Sequence, residues 1–258
     1  MSTDRVPEFD AKQIFSDRAR DYAKARPGYP AEILAELSRR TGLDSTWQVA
    51  DLGAGTGLLT RLFVDAGNPV VAVEPNGAML KVAETRFGDA PNFRAVTAPA
   101  EATTLDDRSV DLITAGQAFH WFDRDRAAPE FRRILRPGGW IALIWNDADR
   151  VSSPFLQEYL PYLSRLDQPT APWKSLVNDE ILQAFIGPTY QLFEVAHRHR
   201  LDFDGLVARL GSASYGLRPG ESGFDELSRG MREIFDRHAD GGTVDYPYRC
   251  RVHLGQWS

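Results

Sequence analysis

The run Gln48-Val49-Ala50-Asp51-Leu52-Gly53-Ala54-Gly55-Thr56-Gly57 decides the fold. Its first five residues read as a short buried strand that carries an acid near its end. Glycines follow at alternate positions. Leu58, Leu59, Leu62, Phe63 and Ala66 then recur on one helical face, and Gly67 ends the helix. Glycine lets the backbone turn sharply and lets a ligand approach with no side chain in the way. The helix start behind the glycines presents free N–H groups, which suits a carboxylate or a phosphate.

The same alternation extends outward. A second strand, Val70-Val71-Ala72-Val73, ends at Glu74-Pro75, and a helix spans about 78–86. Short strands are predicted at 92–96 and 109–114, a helix at 126–135 that stops at Pro137-Gly138-Gly139, and a strand at 140–145. Strands alternating with helices predict a parallel sheet covered on both faces. Upstream, residues 11–40 read as two helices with a bend at Pro27, Gly28 and Pro30. After Asn146 the pattern changes. Residues 151–190 carry Pro154, Pro161, Pro169, Pro172 and Pro188, and read as short helices over the sheet edge. A strand at 191–203, a helix at 224–238 and a last strand at 246–256 complete the chain.

At 258 residues, 43% hydrophobic and 26% charged, the chain can bury a full core without disulfides. Its net charge of -6 argues against nucleic acid as a partner, since phosphate-gripping proteins show a basic face. The longest basic stretch, His197-Arg198-His199-Arg200, reads as a solvated strand edge. Cys250 is alone, so it makes no internal disulfide and no metal cluster is expected. The polar first ten residues lack the apolar core of a signal peptide, and no run approaches the roughly 20 apolar residues of a membrane span. These features predict a cytoplasmic protein with no membrane partner, acting as a monomer or homodimer.

Two cofactors compete for the glycine loop. Dinucleotide folds use G-x-G-x-x-G, which calls for a glycine at position 58, where this chain has Leu58. Glu74 suits a bidentate grip on a ribose diol in either case. Asp51 suits a cationic methionyl group better than a pyrophosphate, which it would repel.

The motifs resemble those of the class I S-adenosylmethionine (SAM)-dependent methyltransferases. Asp51 to Gly57 is similar to their first motif and Glu74 to their ribose-binding acid. Ala100-Glu101 resembles the segment that contacts adenine, and Arg133-Ile134-Leu135-Arg136-Pro137-Gly138-Gly139 the turn before the fifth strand. Arg26-Pro27-Gly28-Tyr29-Pro30 and Gln117-Ala118-Phe119-His120-Trp121-Phe122-Asp123 look like the type 11 branch, which includes enzymes similar to trans-aconitate methyltransferase.

The resemblance implies a doubly wound, Rossmann-like, mostly parallel seven-stranded sheet with helices on both faces and a helical lid insertion. A single domain, 1–258, would comprise an N-terminal cover at 10–40, a SAM-binding core at 41–148, a lid at 151–190 and the sheet's completion at 191–258. Gly53, Ala54, Gly55 and Gly57 would bring backbone near the cofactor, and Asp51 would hold its amino end. Glu74, followed by Pro75, would accept from the ribose hydroxyls. Asn76 and Met79 would flank the adenine, with Ala100 alongside and Glu101 receiving its amino group. Gln117 would lie beneath the methionyl part. Tyr22 and Arg26 would close over the cofactor, Arg26 pairing its carboxylate.

Such a cofactor carries its own activation, so the protein supplies orientation, desolvation and charge management. His120, Trp121, Trp145 and Asn146, at the ends of the fourth and fifth strands, are candidates to face a small-molecule acceptor, with Tyr215 from the covering segment. His120 is the candidate general base, because an ordinary imidazole titrates near neutral pH. The competing readings are a tRNA or other macromolecule methyltransferase, a non-catalytic SAM-binding protein and an NAD-dependent oxidoreductase.

Overall fold

The computed structural model describes residues 26–164, 177–212, 216–217 and 219–257. The helix expected before the bend, Tyr22, Tyr215 and the middle of the 151–190 segment lie outside the described residues.

Helix α1 (Glu32–Thr41) leads into β1 (Val49–Leu52), α2 (Thr60–Asp65), β2 (Val70–Val73), α3 (Gly77–Phe87), β3 (Phe93–Val96) and β4 (Val110–Gly116). A 3-10 turn, Phe119–Trp121, precedes α4 (Arg124–Ile134), β5 (Leu135–Ala148), α5 (Pro154–Ser164) and α6 (Asp179–Ile186). Strand β6 (Gln191–Leu201), α7 (Phe203–Gly211), α8 (Phe224–His238) and β7 (Val244–Gln256) follow. The seven strands form one sheet in the order β3-β2-β1-β4-β5-β7-β6. Strands β1 to β5 are parallel, whereas β7 runs antiparallel to both β5 and β6. This is the mostly parallel, doubly wound architecture expected.

The central strands read as unbroken apolar runs because both faces are covered. Every residue of β1 and β2 is buried. Side chains alternate between two apolar layers. Ile113, Ile141 and Leu143 pack on one face with Phe119, Phe131 and Trp257. Leu112, Ala142 and Ile144 pack on the other with Ile33, Leu37 and Phe63. A third apolar cluster joins α5, α7 and α8 to the far end of the β6–β7 ribbon, through Tyr159, Leu206, Met231, Tyr246 and Tyr248.

Several expectations need adjustment. Helix α2 is short, and Ala66 is exposed just beyond it. Strand pairing on β5 begins at Leu135, ahead of the Pro137-Gly138-Gly139 turn, with a register shift opposite Val110 and Leu112. The 151–190 segment is not uniform. Helix α5 packs on α8 and β7, whereas Leu182 and Ile186 of α6 enter the apolar layer on the sheet face beside Phe119. The basic stretch is also divided by the strand pleat. Arg198 and Arg200 are exposed and pair with Asp245, while His197 and His199 turn inward and are half-buried. Among the described residues no helix is long and apolar enough to cross a membrane.

Candidate active site

Strand order reverses at β1. The chain goes from β1 outward to β2 and β3, then returns to pair β4 on the other flank of β1. Such a switch point opens a crevice at the carboxyl ends of the strands. Here the crevice holds about 1020 Å³ of atom-free space, its open mouth included. That suits a nucleoside-sized ligand.

The floor is the glycine loop. Gly53 has φ +66°, and a Cβ there would stand 2.6 Å from the Ala118 Cβ. Only glycine keeps this part of the crevice open while the β1 and β4 loops pass so close. Gly57 serves differently. Its φ is +79°, and a Cβ would strike the Phe87 ring at 2.6 Å. It does not line the crevice, so its place is the packing of the loop against α3 and not the approach of a ligand.

Glu74, at the end of β2, locks the loop. Its Oε2 accepts the Gly55 N–H at 2.9 Å and its Oε1 accepts the Asn76 N–H at 2.8 Å. Asn76 caps α3, accepting from the N–H groups of Ala78 and Met79 at 3.0 and 3.2 Å. The sequence Glu74-Pro75-Asn76 thus ties a strand end, a glycine loop and a helix start into one unit.

Asp51 lines the crevice yet is wholly buried. The Thr60 hydroxyl donates to it at 2.6 Å and the Thr114 hydroxyl at 3.0 Å. Burial raises its pKa to about 6 against the pull of those two hydroxyls, and the nearby Glu74 charge adds to the rise. Glu101 accepts the Asp123 N–H at 2.7 Å, where Asp123 caps α4.

On the β4 side, Gln117 holds φ +56°, an uncommon conformation for a residue with a side chain. The position is over-determined. Its N–H donates to the Ile144 carbonyl at 2.9 Å, and its Nε2 donates to the Asn146 carbonyl at 3.2 Å. Strain held this way concentrates at functional positions.

The crevice therefore gathers Asp51, Gly53, Ala54, Gly55, Glu74 and Pro75, together with Asn76, Met79, Ala100, Glu101 and Gln117. Trp121 stands on its rim, 44% exposed. Arg26 is not in its lining; its Nε donates to Ser212 at 3.0 Å. Trp145 and Asn146 lie next to it and not in it. Trp145 packs edge-on against Phe119 and His253, and the Asn146 Oδ1 meets His197 Nε2 at 2.9 Å.

His120 also lies off the lining, with its ring 5.0 Å from that of Trp121. Burial lowers its pKa to about 4, so the near-neutral titration expected of it does not hold. Tyr29, Thr56, Leu59, Pro99, Gly116 and Phe122 line the crevice and were missed. Tyr29 had a signal, because it belongs to the Arg26 to Pro30 motif. Thr56 and Phe122 had one too, inside the glycine loop and the Gln117 to Asp123 motif, whereas Leu59, Pro99 and Gly116 arrive by tertiary packing. Among the described residues no group of three His, Cys, Asp or Glu could hold a metal ion.

Known proteins resemble this chain in sequence and in fold. Residues 50–143 match the family model described as a methyltransferase domain. An uncharacterized methyltransferase of Mycobacterium tuberculosis is 35% identical over 247 residues, covering 93% of both chains. A malonyl-[acyl-carrier protein] O-methyltransferase of Methylococcus capsulatus is 41% identical over 98 residues, 37% of this chain and 36% of that one. Among solved structures, a protein assigned as a type II methyltransferase of Anaeromyxobacter dehalogenans superposes with a TM-score of 0.68 at 23% identity, covering 90% of this chain and 97% of that one.

Proposed function

The chain belongs to the class I SAM-dependent methyltransferases, and we propose that it moves the methyl group of SAM to a small-molecule acceptor. The relationship that carries the small-molecule reading is the link from Gln117, in the crevice, to Asn146 and on to His197 of β6. It sets the β6–β7 ribbon, with the helical layer of α5, α7 and α8 on its far end, beside the methionyl end of the crevice. That neighbouring layer suits a small acceptor. A net charge of -6 also argues against a nucleic acid acceptor. One relative with partial coverage is named for methyl transfer to a malonyl group carried on a protein.

The residues in the crevice fit SAM. Its chemistry is a methyl group already activated on a sulfonium. In this reading the Glu74 carboxylate takes the ribose hydroxyls with the lone pairs not used by Gly55 and Asn76. Met79 and Asn76 border the adenine, and Glu101 receives the adenine amino group with the oxygen that does not hold Asp123. Gly53 and Gly55 let the backbone approach. Asp51 meets the cationic amino end, and Gln117 lies beneath the methionyl chain. Trp121 offers an aromatic face near the positive charge, worth roughly 0.5–2 kcal/mol. Arg26 stays with Ser212, and His120 packs and orients without exchanging a proton near neutral pH. The whole chain acts as one domain, with α5 and α6 as separate covering elements.

The test is methyl transfer from labelled SAM to size-fractionated metabolites and, in parallel, to total tRNA at physiological salt. Label in the small fraction supports the reading. Label only in tRNA refutes it.

A further inference from the structure

Among the described residues the crevice lining carries three carboxylates, Asp51, Glu74 and Glu101, and no Lys, Arg or His side chain. Arg26 lies off the lining, its guanidinium held by Ser212. SAM nevertheless brings a carboxylate of its own at its methionyl end. An anion entering a crevice that offers no cation has to be held by neutral donors. Few side chains on the methionyl side can donate. Gln117 spends one amide proton on the Asn146 carbonyl. The Thr56 hydroxyl is shielded from solvent.

Tyr29 is the donor left, and it is fixed in place. Its ring packs on the apolar layer that holds Ile33, Leu37 and Leu59. Its hydroxyl lies over Gly116, the last residue of β4. A Cβ on Gly116 would stand 2.5 Å from the Tyr29 hydroxyl and 3.0 Å from Leu59 Cδ2. Gly116 is thus a notch that seats the phenol tip, a close approach that a side chain there would bar. The backbone of the same segment is tied down as well. Asn146 Nδ2 donates to the Gly28 carbonyl at 3.4 Å, so the residue that Gln117 holds also holds the neighbour of Tyr29.

Side chains alternate along a strand, so Gly116 faces the same side of the sheet as Thr114. The Thr114 hydroxyl donates to Asp51. The Tyr29 hydroxyl therefore stands on the Asp51 side of the sheet, one pleat nearer the carboxyl end of β4. In the reading above Asp51 meets the cofactor's amino group. The amino and carboxylate groups of that tail share one carbon, so the carboxylate falls close to the acid, where a donor is needed. A phenol donates without adding charge. We propose that Tyr29 binds the carboxylate of the cofactor through its hydroxyl, in the place that the resemblance gave Arg26. The proposal rests on the SAM reading of the crevice and names the side chain that selects an amino-acid tail there.

The experiment titrates the full-length protein calorimetrically with three thioethers. They are S-adenosylhomocysteine, its decarboxylated analogue, which keeps the amine, and 5′-methylthioadenosine, which lacks the whole amino-acid group. A hydrogen bond to a charged group predicts that the wild type binds S-adenosylhomocysteine about ten-fold or more tightly than the decarboxylated analogue. Tyr29→Phe keeps the ring and should bring those two affinities within about three-fold. Its affinity for 5′-methylthioadenosine should stay within about two-fold of wild type. Gly116→Ala should have the same effect by pushing the hydroxyl off its seat, and it makes the test should Tyr29→Phe not fold. A wild type that does not prefer the carboxylate, or a preference that survives both substitutions, overturns the proposal. Equal weakening of all three ligands also overturns it, since Tyr29 would then only support the crevice wall. Failure of all three to bind the wild type would remove the SAM reading itself, and the proposal with it.

Discussion

The Glu74 carboxylate accepts the backbone N–H of Gly55 at 2.9 Å, so the acid at the end of β2 also holds the glycine loop at the end of β1. Its other oxygen holds the Asn76 N–H. Glu74→Ala should therefore act twice. Loss of the ribose contacts, at roughly 1.5–3 kcal/mol for each hydrogen bond to a charged group, predicts at least a hundred-fold drop in SAM affinity. The two N–H groups left without an acceptor should also lower stability by about 1–3 kcal/mol each where water does not reach them. Calorimetry and thermal melting read the two effects separately. Unchanged SAM affinity would place the ribose elsewhere.

Asp51 makes stability and binding depend on pH. Its folded pKa of about 6 lies above the ordinary 3.8. The native state therefore holds a proton that the unfolded chain gives up, and stability falls as pH rises from about 4 to about 6. At about 1.4 kcal/mol per pH unit this amounts to about 3 kcal/mol. Asp51→Asn should flatten that part of the stability profile. A cationic amino end beside Asp51 favours its ionised form, so SAM binding near pH 6 should release a fraction of a proton. Calorimetry in buffers of different ionisation enthalpy measures the release, and none in the wild type would contradict the assignment.

Gln117 carries strain that its hydrogen bonds sustain. Gln117→Gly relieves a left-handed residue of about 1 kcal/mol and loses a hydrogen bond of about the same worth. The melting temperature should move little, while SAM affinity falls several-fold. A large loss of stability with unchanged affinity would assign Gln117 to the fold alone.

His120 is held near a pKa of about 4 by burial, so it stays neutral throughout the physiological range. With an acceptor in hand, kcat should show no inflection near 6.5, and His120→Ala should leave SAM affinity within about two-fold. An acid limb centred near 6.5 that vanishes in His120→Ala would restore the histidine as a general base.

What the sequence disclosed follows from how local each feature is. Asp51, the glycines and Glu74 were legible because one strand, one turn and the next strand end contain them. The sheet was legible because period and punctuation alternate along the chain. The packing of Gly57 against Phe87 was not legible, because that ring lies a whole βα unit away. Arg26 found Ser212 rather than the crevice through a contact spanning 186 residues. The pleat of β6 turns the histidines of its basic run inward and the arginines outward.

A crystal structure with S-adenosylhomocysteine tests the central claim most directly. The account predicts the ribose hydroxyls within hydrogen-bonding distance of Glu74, the adenine bordered by Met79 and Glu101, and the sulfur turned toward Gln117. A ligand seated elsewhere, or one whose ribose lies out of reach of Glu74, would contradict it.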